Sequence, residues 1–169
     1  MKLDPVNYWE QIERLERLIR ASELKAGLIF SFHGLILGFF IDRIEAFEDI
    51  FSNCWPFTFF VVIWIIFVLT SIYFAVKCFI PRIESKHSNN VFFFGDIVNE
   101  FGDMTNYSKE LMDVCSDESR LYKQLGEQIY VESGIINHKF KSVKNSLKYL
   151  VISLVAMIPV IIFGAIHLL

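Results

Sequence analysis

Apolar residues gather in three long runs along the 169-residue chain, and charged residues gather between them. The first run, Ala26 to Ile41, reads AGLIFSFHGLILGFFI without a charge. At about 1.5 Å per residue it predicts a helix of roughly 24 Å, short against about 30 Å of bilayer hydrocarbon. Lys25 and Arg43 flank the run, where their long side chains reach the headgroups. The second run, Phe57 to Val76, is uncharged, with Trp55, Trp64 and Tyr73 in or beside it. Pro56 fits the first turn, Lys77 reaches the headgroup layer, and Pro81 ends the helix, giving a span over 56–80. The third run, Tyr149 to Leu169, is also uncharged, and Pro159 is expected to kink it.

The polar segments carry a different period. Ile12, Leu15, Leu18, Ile19 and Ser22 recur at helical spacing, and Glu13–Arg17 and Glu16–Arg20 form i,i+4 pairs. Residues 1–25 therefore predict an amphipathic helix able to run straight into the first span. Residues 42–55 read as a loop. Within 81–148, Phe94, Ile97, Phe101, Met104, Leu111 and Cys115 outline one apolar stripe, and Leu121, Leu125, Ile129, Ile136, Phe140, Val143 and Leu147 a second. Ser116 is placed to cap the second helix, with Asp117 and Glu118 in its first turn. The expected fold is all-α and integral to a membrane. It has three transmembrane helices (26–41, 56–80 and 149–169), an amphipathic N-terminal helix and a cytosolic helical hairpin over 81–148.

Charge supplies the orientation. Residues 1–25 carry Lys2, Arg14, Arg17, Arg20 and Lys25, whereas 42–55 carries Arg43 alone against Asp42, Glu45, Glu48 and Asp49. Arg82 and Lys86 follow the second span, and Lys139, Lys141, Lys144 and Lys148 precede the third. Basic loops stay inside, so the N-terminus and 81–148 are expected in the cytosol, with 42–55 and the C-terminus outward. The N-terminal charges, acidic as well as basic, fit a retained anchor rather than a secretory signal. A net charge of −3 and the lack of a dense basic run exclude a nucleic-acid surface. Cys54, Cys78 and Cys115 form no C-x-x-C pair, and the four histidines lack zinc spacing, so neither metal nor cofactor is expected.

Some features bear on chemistry. Gly27, Ser31, Gly34 and Gly38 are spaced by 4, 3 and 4 on one face of the first span, which suits close helix contact within one chain or between chains. His33 sits near the middle of that span, either hydrogen-bonded as a neutral ring or part of a proton or ion pathway. In the box from Asn89 to Asp96, three phenylalanines are core or interface anchors or a stacking platform for a nucleobase. Gly95 there allows an unusual backbone angle, and Asp96 is positioned to cap a helix. The lysines before the third span face anionic lipid or an anionic ligand. No H-E-x-x-H, P-loop or G-x-S-x-G motif occurs, and the chain is not expected to be an enzyme.

Three stretches in order carry a resemblance: Leu24-Lys25-Ala26-Gly27 with Phe32-His33-Gly34, then Phe92-Phe93-Phe94-Gly95-Asp96-Ile97, then Gln128-Ile129 with Ser133, Ile135 and Lys139. Over about residues 10–169 the chain resembles the Pycsar effector transmembrane family. Members often read as a Lys-Ala-(Gly/Ser) entry, a Phe-Phe-Gly-(Asp/His)-Ile box and a Gln-Ile…Ser-x-Ile…Lys helix. This chain has Glu23-Leu24 where some relatives carry an aspartate, and the extra domain fused to others is not expected in it. The resemblance implies bacterial anti-phage defence, in which cyclic CMP or cyclic UMP acts on an inner-membrane effector that then impairs the membrane. It would place ligand contacts at Phe94, Asp96, Gln128, Asn137 and Lys139. Helix packing and output would fall to Gly27, Ser31, His33, Gly34 and Gly38, with lipid and further copies of the chain as partners. The competing expectation is a membrane scaffold that binds a protein through its cytosolic hairpin.

Overall fold

A computed structural model describes residues 4–81 and 89–168. Lys2, Arg82 and Lys86, which entered the orientation argument, lie outside these residues, as does Leu169. Among the described residues every regular element is helical: α1 (Pro5–Asp42), a 3-10 turn (Glu45–Phe47), α2 (Glu48–Asn53), α3 (Trp55–Phe79), α4 (Phe94–Asn99), α5 (Met104–Ser116) and α6 (Glu118–Leu168). Three of them, α1, α3 and α6, are long and apolar enough to cross a membrane. The amphipathic segment and the first span form one helix, as the lack of any breaker between them predicted.

The chain divides into two compact units. One comprises Met1–Ala21 and Pro81–His138; the other comprises Ser22–Ile80 and Lys139–Leu169. Both α1 and α6 contribute residues to each.

The second unit turns its apolar side chains outward. Leu28, Leu35, Phe39, Leu69, Val155 and Ile161 are all more than half exposed, a continuous apolar surface suited to lipid rather than water. Inside, the two halves differ. Toward the α2 end the core is Ile50, Phe57, Val61, Trp64, Val68 and Val160, ringed by Phe40, Phe47, Phe51 and Phe163. Toward the other end the interior holds Ser22, His33, Ser71, Lys139, Ser142, Ser146 and Ser153, all buried.

Residues 42–55 are more ordered than a loop. Phe47, Ile50 and Phe51, at helical spacing, place one apolar face on the bundle, with Phe47 and Phe51 both packed on the Phe57 ring at 5.6 and 5.1 Å. Pro56 lies in the first turn of α3, and Ile80 takes an extended conformation before Pro81, as the steric restriction on a pre-proline residue requires.

In the first unit, the expected hairpin is subdivided. Gly102, at φ +72°, breaks the first arm into α4 and α5; a left-handed angle of this kind favours glycine. The cap of α6 is Asp117 rather than Ser116. The Asp117 carboxylate accepts from the Ser119 and Arg120 amides, whereas the Ser116 hydroxyl donates to the Met112 carbonyl. The apolar stripes are also corrected in detail: Val114 and Leu125 are fully buried, while Met104, Cys115 and Phe94 point outward.

Candidate functional site

The Asn89–Asp96 box leads into α4 and is tied by hydrogen bonds to α5 and α6. Asn89 takes φ +50°, a left-handed angle that asparagine tolerates. That turn directs Asn90 inward, where its side-chain amide donates to the Gln124 carbonyl at 2.8 Å and its side-chain oxygen accepts from the Phe92 amide at 2.9 Å. Gln124 on α6 completes the stitch, its side-chain oxygen accepting from the Val91 amide at 3.0 Å. The Tyr107 hydroxyl of α5 donates to the Val91 carbonyl at 3.3 Å.

Asp96 serves this loop. One carboxylate oxygen accepts from the Asn90 backbone amide at 2.9 Å, so Asp96 lies inside the first turn of α4 and reaches back instead of capping the helix from outside. Gly95 is required by proximity, not by backbone angle: a Cβ there would lie 2.8 Å from the Phe93 ring. Phe93 is buried and Phe94 is exposed.

Trp9, Tyr8 and Tyr122, which the sequence did not single out, form aromatic pairs, one of them with Phe92 of the box. Trp9 meets Phe92 edge-on at 5.3 Å, and Tyr8 meets Tyr122 at 5.3 Å. Trp9 is exposed and the other three are partly so.

Gln128, one turn beyond Gln124 on α6, donates its side-chain amide to Glu132 at 2.8 Å. Glu132 is 8% exposed. The second Glu132 oxygen and the Gln128 carbonyl oxygen are buried with no hydrogen-bond partner among the described residues. Burial pushes the Glu132 carboxyl above the ordinary carboxylate range, the Gln128 hydrogen bond opposes this, and Glu16 adds to it.

The residues expected to contact a ligand stand in different local settings. Phe94 and Asn137 are exposed, Asp96 is committed to Asn90, and Gln128 is paired with Glu132. Lys139 belongs to the second unit. Its buried ammonium donates to Glu23 at 2.8 Å and to the Cys78 carbonyl at 2.6 Å. That carbonyl lies in the last turn of α3, where helix carbonyls lack an intrahelical donor and a cation is favoured. Glu132, Gln124, Tyr8 and Trp9 are not singled out by the sequence, where the i,i+4 spacing of Gln128 and Glu132 is the one local signal; Glu23 stands out there only as occupying the place where some relatives carry an aspartate.

The membrane-face residues also separate. His33 is completely enclosed, and neither ring nitrogen has a hydrogen-bond partner among the described residues. Ser31, Gly34 and Gly38 are exposed on another face, and a Cβ at Gly34 or Gly38 would meet nothing within 4 Å. A Cβ at Gly27 would lie 3.7 Å from the Phe79 ring.

No curated protein and no solved structure matches the chain. Among protein families, residues 7–166 match the Pycsar effector protein domain. With nearly the whole chain covered and three helices able to span a bilayer, the protein belongs to that family of multi-pass membrane effectors of anti-phage defence.

Proposed function

We propose that the protein is a non-catalytic effector that senses a cyclic pyrimidine nucleotide, cyclic CMP or cyclic UMP, through its first unit and answers by impairing a bacterial inner membrane. The observation that carries this reading is the buried Gln128–Glu132 pair, with two oxygens left unpartnered. Unpaired buried acceptors cost about 1–3 kcal/mol each, so a site that keeps them is poised for a donor-bearing partner. A pyrimidine edge presents such donors, at the exocyclic amine of cytosine or at N3 of uracil. The exposed Trp9 ring and the partly exposed Phe92, Tyr8 and Tyr122 rings are aromatic groups of the chemistry that stacks on a base.

Output through the bilayer follows from the second unit being the membrane part of the chain. A ligand that prefers one arrangement of the first unit biases α1 and α6, since both helices contribute to both units. The basic residues Arg14, Arg17 and Arg20 support a cytosolic first unit, and the acidity of the 42–55 segment supports an outward position for it. The open face at Ser31, Gly34 and Gly38 is where copies of the chain assemble.

Titration calorimetry of the detergent-purified full chain with cyclic CMP, cyclic UMP and cyclic AMP tests the sensing step. Saturable heat with a pyrimidine ligand and none with cyclic AMP is the expected result. A chain silent toward all three is a scaffold rather than a sensor.

A further inference from the structure

His33 lies at a fixed height in the second unit. Ala26 of α1 packs with Cys78 of α3, and the Phe40 ring packs on Trp64 at 5.1 Å. These pairs lie fourteen residues apart on each of two antiparallel helices, so the midpoints, His33 and Ser71, face the same layer. On α6, Val143 shares the Ala26–Cys78 layer. Seven residues further on is Leu150, with Ser146 and Ser153 one turn to either side. Ser71 and Ser146 are joined, each hydroxyl donating to the other's backbone carbonyl at 2.8 and 2.9 Å, and the Ser153 hydroxyl donates to the Leu150 carbonyl at 2.8 Å.

The enclosed imidazole therefore sits in a serine layer. On one side the small buried side chains Ala26, Ala75, Cys78 and Val143, with Ile29, lie between it and the Lys139–Glu23 pair, and Ser142 and Ser22 are the buried hydroxyls of that stretch. On the other side it is closed by Val68 and the Phe40–Trp64 contact. Beyond that septum opens an apolar cleft of about 520 Å³, lined in part by Ile36, Phe40, Phe47, Trp64 and Val160. Ile36 is one turn from His33 on α1, about 4.5 Å of helix rise, so a single layer separates the ring from the cleft.

We propose that His33 is the proton-carrying site of a leak route through this unit, entered along the serine layer and sealed in the resting state by Phe40 and Trp64. A neutral imidazole takes a proton from hydronium on one side at its free nitrogen, becoming imidazolium. It then releases the proton on its other nitrogen to water on the opposite side, and a ring flip restores the first tautomer. No other chemical change is needed, and the transmembrane proton gradient supplies the direction. The ionisable groups on the inward faces of the unit are Glu23 on α1, Cys78 on α3 and Lys139 on α6, all near the Lys139 end, with Glu23 about 15 Å of helix rise from His33. At the height of His33, Ser71 and Leu150 the other ionisable side chains are Tyr149, partly buried against Phe67 and Phe74, and Tyr73 and Lys148, both exposed, so His33 is the enclosed one. The proposal rests on the reading that the protein's output is a change in membrane permeability, and it specifies proton permeation as that change.

The test places the full-length chain in liposomes that contain a pH-sensitive dye, with valinomycin and potassium holding the potential. Addition of cyclic CMP or cyclic UMP is expected to raise proton entry at least tenfold over protein-free liposomes, with trapped carboxyfluorescein retained. His33→Gln, similar in size and unable to carry the proton, is expected to return entry to background while keeping the calorimetric heat of the native chain. Phe40→Ala or Trp64→Ala is expected to raise entry several-fold without nucleotide, and adding His33→Gln to either is expected to abolish that rise. Native-level entry in His33→Gln overturns the proposal. Release of carboxyfluorescein by the native chain also overturns it, in favour of a wide pore, and leaves the effector reading standing. Silence of the native chain and of both septum variants overturns it too. If nucleotide heat is then present, only the proton route is lost; if heat is missing as well, the effector reading falls with it.

Discussion

The ammonium of Lys139 lies 2.8 Å from a carboxylate oxygen of Glu23, a residue 116 positions earlier in the chain. The Lys139 side chain is 7% exposed and the Glu23 side chain 38%, so the bond joins a buried cation to a partly solvated anion. Because Lys139 also serves the Cys78 carbonyl, one side chain ties α1, α3 and α6 together.

Removing either end has unequal consequences. Glu23→Gln leaves a buried cation with a weaker partner, whereas Lys139→Met leaves a carboxylate that still reaches solvent. Glu23→Gln is therefore expected to be the more destabilising, by about 1–3 kcal/mol, and Lys139→Met the milder of the two. Thermal unfolding of both variants and of the double variant, in detergent, measures this. Equal effects that simply add would show that the bond contributes nothing.

Glu132 sets a pH dependence. Its carboxyl binds a proton more tightly in the folded chain than in the unfolded chain, because burial disfavours the charge. Its contribution is fully favourable below the ordinary carboxylate range and is lost as pH rises through the raised folded value. Glu132→Gln resembles the protonated form, so it should melt higher than the native chain at pH 7 and converge with it near about pH 4. A native chain whose melting advantage grows between those pH values would contradict the sign.

Two glycines separate space from backbone freedom. Gly95→Ala drives a Cβ against the buried Phe93 ring and is expected to cost about 1–3 kcal/mol. Gly126→Ala, in the interior of α6 with nothing within 4 Å of the new Cβ, is expected to stabilise by about 0.5–1 kcal/mol. Chemical denaturation of the pair checks both signs at once.

The open face of α1 carries the assembly prediction. Gly34 and Gly38 are exposed, and a Cβ at either meets nothing within 4 Å, so Gly34→Leu and Gly38→Leu add bulk to an open face. They should leave the unfolding temperature within a few degrees while shifting the detergent-solubilised species to a smaller mass by light scattering. An unchanged mass would remove this face from any contact between copies.

What the sequence could announce, and what it could not, follows from range. The run Phe57–Val76 declared itself because about twenty uncharged residues meet the bilayer thickness by length alone. Likewise Pro56, Pro81 and the Glu13–Arg17 pair act within a turn, and each stands where local rules put it. Which phenylalanine of the box turns inward depends on Asn89 taking a left-handed angle and on Gln124 bonding the loop from 33 positions away. Neither is visible in three consecutive identical side chains. Asp117 displaced Ser116 as cap by a one-residue choice of where the helix starts, a choice that local composition leaves nearly balanced. Lys139 read as a ligand-facing cation because its partner lies on another helix. His33 and Gly34 read as one group because they are adjacent in sequence, although neighbours on a helix point about 100° apart.

The central claim is that ligand arrival at the first unit alters the bilayer through the second. Membrane potential, followed by a voltage-sensitive dye in liposomes containing this chain alone, reports it directly. The account predicts that cyclic CMP or cyclic UMP collapses an imposed potential and that cyclic AMP at the same concentration leaves it intact. A potential that holds through saturating pyrimidine nucleotide, with the chain inserted and binding measurable heat, would contradict it.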